Sequence, residues 1–145
     1  MAYIIVKNNK SHKIAANDAD KNDLNVSYPP YEAKDITDAE FAKIIKNEAI
    51  FECGSDGTIT VTDQPTQREI GSKDELLAYL EHVKKLLNAF IKAKQTSKSL
   101  YSTAQTYLAT LNSHDYDSMT FPLNKTWEKY CADNSITYLH PLQIP

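Results

Sequence analysis

The stretch "SKDELLAYLEHVKKLLNAFIKAKQTSKSLYSTAQTYLATLNS", Ser72 to Ser113, runs without a glycine or a proline. Its apolar residues are spaced for a helix. Leu76, Leu80, Val83, Leu87, Phe90, Lys94, Ser97, Tyr101, Ala104, Leu108 and Leu111 step by four and three without a slip. Only Lys94 and Ser97 are plainly polar. Leu77, Leu86, Ile91, Ala93, Leu100 and Tyr107 flank the seam, so the apolar stripe is wider than a two-stranded coiled coil needs. Two structures fit. One is a helix of about 40 residues, roughly 60 Å long, that packs in a bundle or self-associates through Leu76, Leu80, Val83, Leu87 and Phe90. The other is a hairpin broken near "KAKQTSKS", where polar residues gather. The lack of any Gly or Pro favours the long or kinked helix.

Outward from this seam the chain changes character. All three glycines lie between Gly54 and Gly71. Before them the sequence is short and punctuated. Ala2 to Val6 reads as a strand, "NNKSHK" as a turn into a second strand around Ile14, and "AANDADKNDLN" as a mobile polar loop. Pro29 and Pro30 impose an extended segment. Thr37 and Glu40 form a capping box that starts a short helix with Phe41, Ile44 and Ile45 on one face. "AIFECGSDGTITVT" is a hairpin, and "DQPTQREIGS" a linker. A second capping box, Ser72 with Glu75, opens the helical half. A last helix is expected from Leu123 to Asn134, with Asn124 as N-cap and Trp127, Tyr130 and Cys131 buried. The expected architecture is α+β: a small hairpin-containing domain over 1–63, a linker over 64–71, a helical region over 72–134 and an extended apolar tail over 135–145.

Composition narrows the function classes. The chain has 145 residues with a net charge of −3, so it lacks the basic surface that displaces counterions from nucleic acid. No stretch reaches membrane-spanning length, and the N-terminus does not read as a signal peptide. Without a signal, the glycosylation acceptors at Asn25 and Asn124 carry no weight. Cys53 and Cys131 match no metal spacing and are expected to be reduced thiols of a cytosolic protein. Nucleophile-elbow, zinc-protease, Walker and dinucleotide motifs are absent, so no catalytic residue and no cofactor is expected. Asp18, Asp20 and Asn22 suggest a calcium loop. Asp23 and Pro29 then stand where an EF-hand needs Gly and Glu, so no metal is expected there. His114, Asp115 and Asp117 read as helix-stop residues. His12, His82 and His140 have no partner spacing.

The ending is unusual. "TYLHPLQIP" is apolar, uncharged except for a histidine, and holds two prolines. Prolines preset φ and lower the cost of ordering an extended segment. Nine tyrosines are present, five of them from Tyr101 onward. Tyr and Trp supply amphipathic contact area at interfaces. The expected partner-binding set is Tyr107, Leu108, Leu111, Phe121, Trp127, Tyr138, Leu139, Leu142 and Ile144; for "TYLHPLQIP" the alternative is a tail folded back over its own helices.

"DITDAEFAKIIKNEAIFECGSDGTITVTD" resembles the first domain of bacteriophage tail fibre assembly proteins. The matching residues are Ile36, Thr37, Asp38, Glu40 and Phe41, then Asp56 and Gly57. Tyr107 to Leu111 followed by Phe121 and Pro122 is similar to their aromatic closing helix and its proline step. The resemblance implies a non-enzymatic chaperone or cap that holds a phage tail fibre or receptor-binding protein in the host cytoplasm during assembly. A structural tail or baseplate component, assembling through its helix and retained in the virion, is the alternative.

Overall fold

The computed structural model describes residues 1–7, 10–27, 32–64, 69–94 and 96–145. The expected turn at 8–9, the diproline at 29–30 and the middle of the linker, 65–68, lie outside these. The chain is α+β. Strands β1 (Ala2–Lys7), β2 (Lys10–Ala15) and β3 (Glu32–Ile36) form an antiparallel sheet in the order β2-β1-β3. The central strand β1 is buried on both faces, which is why it is a continuous apolar run rather than an alternating one. Ala2, Ile4 and Val6 face one core; Tyr3 and Ile5 face a smaller one with Ala15 and Leu24.

Leu24 belongs to α1 (Asp18–Ser27), a helix where a mobile loop is expected from the sequence. It carries little apolar periodicity of its own, and its tertiary contacts hold it. On the other side of the sheet lie α2 (Asp38–Ile45) and the hairpin of β4 (Ala49–Cys53) and β5 (Ile59–Asp63). The Thr37–Glu40 capping box is present in full, and Ile44 is buried. The hairpin turns through Gly57 at φ 85°, a left-handed value that suits glycine.

The helical half is a helical hairpin. Helix α3 (Lys73–Lys92) ends at Ala93, Lys94 adopts φ 54°, and α4 begins at Tyr101 and runs to Ser113. This corrects the expectation of one long or kinked helix. The break needs no Gly or Pro, because the turn is pinned from outside. The Lys98 ammonium donates to the Asp23 carbonyl at 2.7 Å, and the Ser99 amide donates to the Asp23 carboxylate at 2.8 Å. The Ser99 hydroxyl also bonds Asp20. The acidic residues of α1 thus hold the start of α4. The second capping box is half formed. Ser72 accepts from the Glu75 amide at 3.2 Å, while the Glu75 carboxylate turns to the Gly71 amide at 2.8 Å.

The seam is used up inside the chain. Leu76, Leu80, Val83, Leu87 and Phe90 are all buried, packed with Ala104, Tyr107, Leu111, Trp127 and Cys131. They are therefore not a free self-association surface. After the turn the seam positions Ala104 and Leu111 stay buried, while Tyr107 rather than Leu108 takes the buried place between them. The last helix, α5, covers Trp127–Asp133 and is capped by Thr126 rather than Asn124, which sits at φ 59° in the loop before it.

The tail folds back. Leu139 and Ile144 enter the helical core, while Leu142 packs against the N-terminal one. The Lys13 ammonium donates to the Ile144 carbonyl at 2.6 Å. A short 3-10 turn, Pro141–Gln143, is closed by His140 and Gln143. The sequence reading of this segment as an extended docking tail is corrected: its anchors are occupied by its own chain. Contacts also cross the expected linker. The Thr126 hydroxyl donates to the Lys46 carbonyl at 2.5 Å. Ile70 pairs its backbone with Leu123 and Lys125.

Candidate binding groove

The described residues enclose a pocket of about 720 Å³ where the two cores and the tail meet. Its apolar wall comes from Ile44, Ala49, Ile50, Phe51, Ile70 and Leu142; Asn47, Tyr79, His140, His82 and Glu69 supply the polar groups. This size suits a small ligand or a few side chains of a partner.

Asn47 is placed by the end of α2. Its amide donates to the Ile44 carbonyl and the next amide, of Glu48, to the Lys43 carbonyl, a Schellman closure with Asn47 at φ 55°. Asparagine tolerates that left-handed geometry. Its buried side chain then joins both halves of the molecule. Leu142 donates its amide to His140 Nδ1 at 3.1 Å, so Nδ1 is the unprotonated nitrogen. His140 Nε2 therefore donates to Asn47 Oδ1 at 2.9 Å. Asn47 Nδ2 donates to Glu128 Oε2 at 2.8 Å, and the Tyr79 hydroxyl donates to Glu128 Oε1. Glu128 is 1% exposed. Its charge contributes, after burial itself, to raising the Tyr138 hydroxyl well above the usual phenol range.

This relay has a chemical consequence. Both His140 nitrogens are engaged, and both Glu128 oxygens accept. The relay ties Asn47, His140, Glu128 and Tyr79 together and so sets the shape of the groove wall. His82 and Glu69, both exposed, stand at the pocket. No group of three or more His, Cys, Asp or Glu residues able to hold a metal occurs among the described residues, nor any helix long and apolar enough to cross a membrane.

The expected partner-binding residues are divided by the fold. Tyr107, Leu111, Trp127, Leu139 and Ile144 are buried, with Trp127 Nε1 donating to the Tyr107 hydroxyl at 2.9 Å. Leu108, Phe121 and Tyr138 are half-buried around the helical core. Leu142 alone of the nine lines the groove. Asn47, Tyr79, Glu128 and Ile50 were not singled out from sequence. The only local signal was Asn47 directly after an apolar helix, where a C-terminal cap belongs.

A second aromatic cluster lies at the end of α4. The His114 ring meets Tyr116, Trp127 and Tyr130 edge-on, at centroid distances of 5.0, 5.7 and 5.9 Å. His114 also closes α4, its amide donating to the Thr110 carbonyl at 2.8 Å. Burial, first, and the nearby Cys131 push the Tyr116 hydroxyl up to about 12.

Compared with known proteins, the chain stands without a match: no family model, no curated protein and no solved structure matches it.

Proposed function

We propose that this chain is a non-enzymatic binding protein that holds a segment of a phage tail fibre or receptor-binding protein during assembly in the host cell. The observation that carries the binding half of this reading is the groove. It is walled by apolar side chains, its polar relay is internally satisfied, and it opens where strand, helix and tail converge. The fibre half rests on the resemblance through Ile36, Thr37, Asp38, Glu40 and Phe41 and the Asp56–Gly57 turn. Fibre tips expose unpaired β edges during slow, long-range pairing, and a protein that occupies that surface prevents aggregation.

A second reading, a structural tail or baseplate component joined through its long helix, has less to draw on, because the α3 seam is already packed within the chain. Co-expression with a trimeric fibre protein, followed by size exclusion, tests the proposal. The expected result is a soluble complex of fixed stoichiometry and a fibre that aggregates when expressed alone. A fibre that folds unaided and elutes apart from this chain would sink it. Purified virions that contain the protein in fixed copy number would favour the structural reading.

A further inference from the structure

The groove lies along an unpaired strand edge. Ala49, Ile50 and Phe51 are consecutive in β4, and successive strand side chains point to opposite faces. All three line the pocket, yet no residue of β5 does. A pocket on either face of the hairpin would include the cross-strand neighbours Val61, Thr62 or Asp63. The pocket therefore sits beside the edge of β4 that faces away from β5.

That edge pairs with no strand among the described residues. The Gly54 amide donates to the Thr58 carbonyl at 2.7 Å, and the Gln64 amide to the Glu48 carbonyl at 2.6 Å. In an antiparallel ladder, hydrogen-bonded pairs alternate with pairs whose backbone groups point outward. With Gly54 and Glu48 facing β5, so do Ile50 and Glu52. Ala49, Phe51 and Cys53 then present their N–H and C=O groups to the outer side. No strand pairs there, since the sheet holds β4 and β5 alone among the described residues.

The charge around the edge selects its occupant. Glu69 lines the pocket, and Glu52 lies on the same face of β4 as Ile50. Among the described residues, neither takes part in an ion pair and no Lys or Arg lines the pocket. We infer that the outer edge of β4 binds an extended segment of a partner protein by strand addition, one with alternating apolar side chains and a flanking Lys or Arg. Backbone pairing at Phe51 and Cys53 would give affinity; the pocket and Glu69 would give selectivity. This inference rests on the reading of the groove as a protein-binding site and supplies its mode.

The probe is a seven-residue peptide, acetyl-KVTVTVK-amide, titrated into the full-length chain and followed by amide NMR and calorimetry. Saturable binding is expected, with the largest shifts at Phe51 and Cys53. N-methylation of one alternate set of peptide amides should weaken binding about tenfold or more, and that of the other set should leave it nearly unchanged. Phe51→Pro, whose missing amide hydrogen faces away from β5, should abolish binding where Phe51→Leu retains it. If Phe51→Pro fails to fold, the two methylated peptides still decide. Glu69→Lys should reverse the preference between lysine-flanked and glutamate-flanked peptides. No saturable binding, or equal effects of the two methylated sets, overturns the inference. So does a stable dimer that closes through β4. Failure of the fibre co-expression would leave the peptide result standing, and a fibre complex formed with an inert β4 edge would sink strand addition alone.

Discussion

The seam of α3 and the strand β4 are both apolar-rich, but the fold treats them differently. Every seam residue of α3 is covered by α4, α5 and the tail, and the helix keeps its backbone hydrogen bonds to itself. Strand β4 buries Ala49 and half-buries Ile50 and Phe51, yet along its outer edge it pairs with no strand among the described residues. A helix needs only its side chains covered. A strand also needs a neighbour on each edge, and side-chain packing cannot supply one. The closed element thus contributes stability, and the open one is where the proposed strand addition would act.

The largest expected effect tests the closed side. Leu87→Asp places a charge at a fully buried position and should cost several kcal/mol. Helicity and cooperative unfolding should both be lost in denaturant titrations at neutral pH. A variant that stays helical as a monomer would mean the seam is not the core. Next comes the tail. Deleting Leu139 to Pro145 removes two core side chains, Leu139 and Ile144, each worth about 1.5–3 kcal/mol of burial. It also leaves Asn47 without His140. The melting temperature should fall steeply, and an unchanged one would return the tail to the role of a free docking arm.

The local chemistry of this fold was legible in the sequence. Thr37 and Glu40 announce a helix start within four residues, Gly54 and Gly57 announce a hairpin, and Leu76 to Phe90 announce a buried face. What could not be read was set by distant contacts. Among its described side chains, helix α1 offers one deeply buried apolar anchor, Leu24, and draws further support from the Tyr3 hydroxyl bonded to Asp18 and from Ser99 and Lys98. No window of ten residues contains that information. The apolar ending "TYLHPLQIP" signals burial, but composition cannot tell a partner's groove from the chain's own. The groove was hidden for the same reason. Whether an edge is open depends on which strand lies beside it, and that is a property of sheet order. Glu128 reads as an ordinary surface residue of "TWEKY" until Asn47 and Tyr79 are brought to it.

The α1 contact separates the two regions at smaller cost. Ser99→Ala removes the hydroxyl bonded to Asp20 and Asp23 while keeping the Ser99 backbone amide contact. The loss should be about 1 kcal/mol. It should appear as faster amide exchange at the start of α4, with β4 and β5 unaffected. If exchange rises equally in the hairpin, the two regions unfold as one unit and the contrast between them is weaker than drawn.

The smallest effect concerns Asp20 itself. Burial raises its carboxyl above the ordinary 3.8, the Ser99 hydroxyl bond opposes that, and the charge of Asp23 adds to the rise. A raised carboxyl favours the protonated form in the folded state. Its contribution to stability is therefore full below about 3.8 and is lost as pH rises through the higher folded value. Asp20→Asn keeps an oxygen for Ser99 and removes both the buried charge and its repulsion with Asp23. At pH 7 the variant should be slightly more stable than the parent, by under about 1 kcal/mol. Denaturant midpoints of the two proteins should converge as pH falls toward the unfolded value, because the parent then carries its proton in both states. A variant less stable at pH 7, or a gap that widens on acidification, would show that Asp20 works as a charged anchor of the α4 turn. The turn would then depend on ionised Asp20 as well as Asp23, and its strength would fall in acid while the β4 edge stayed as it is.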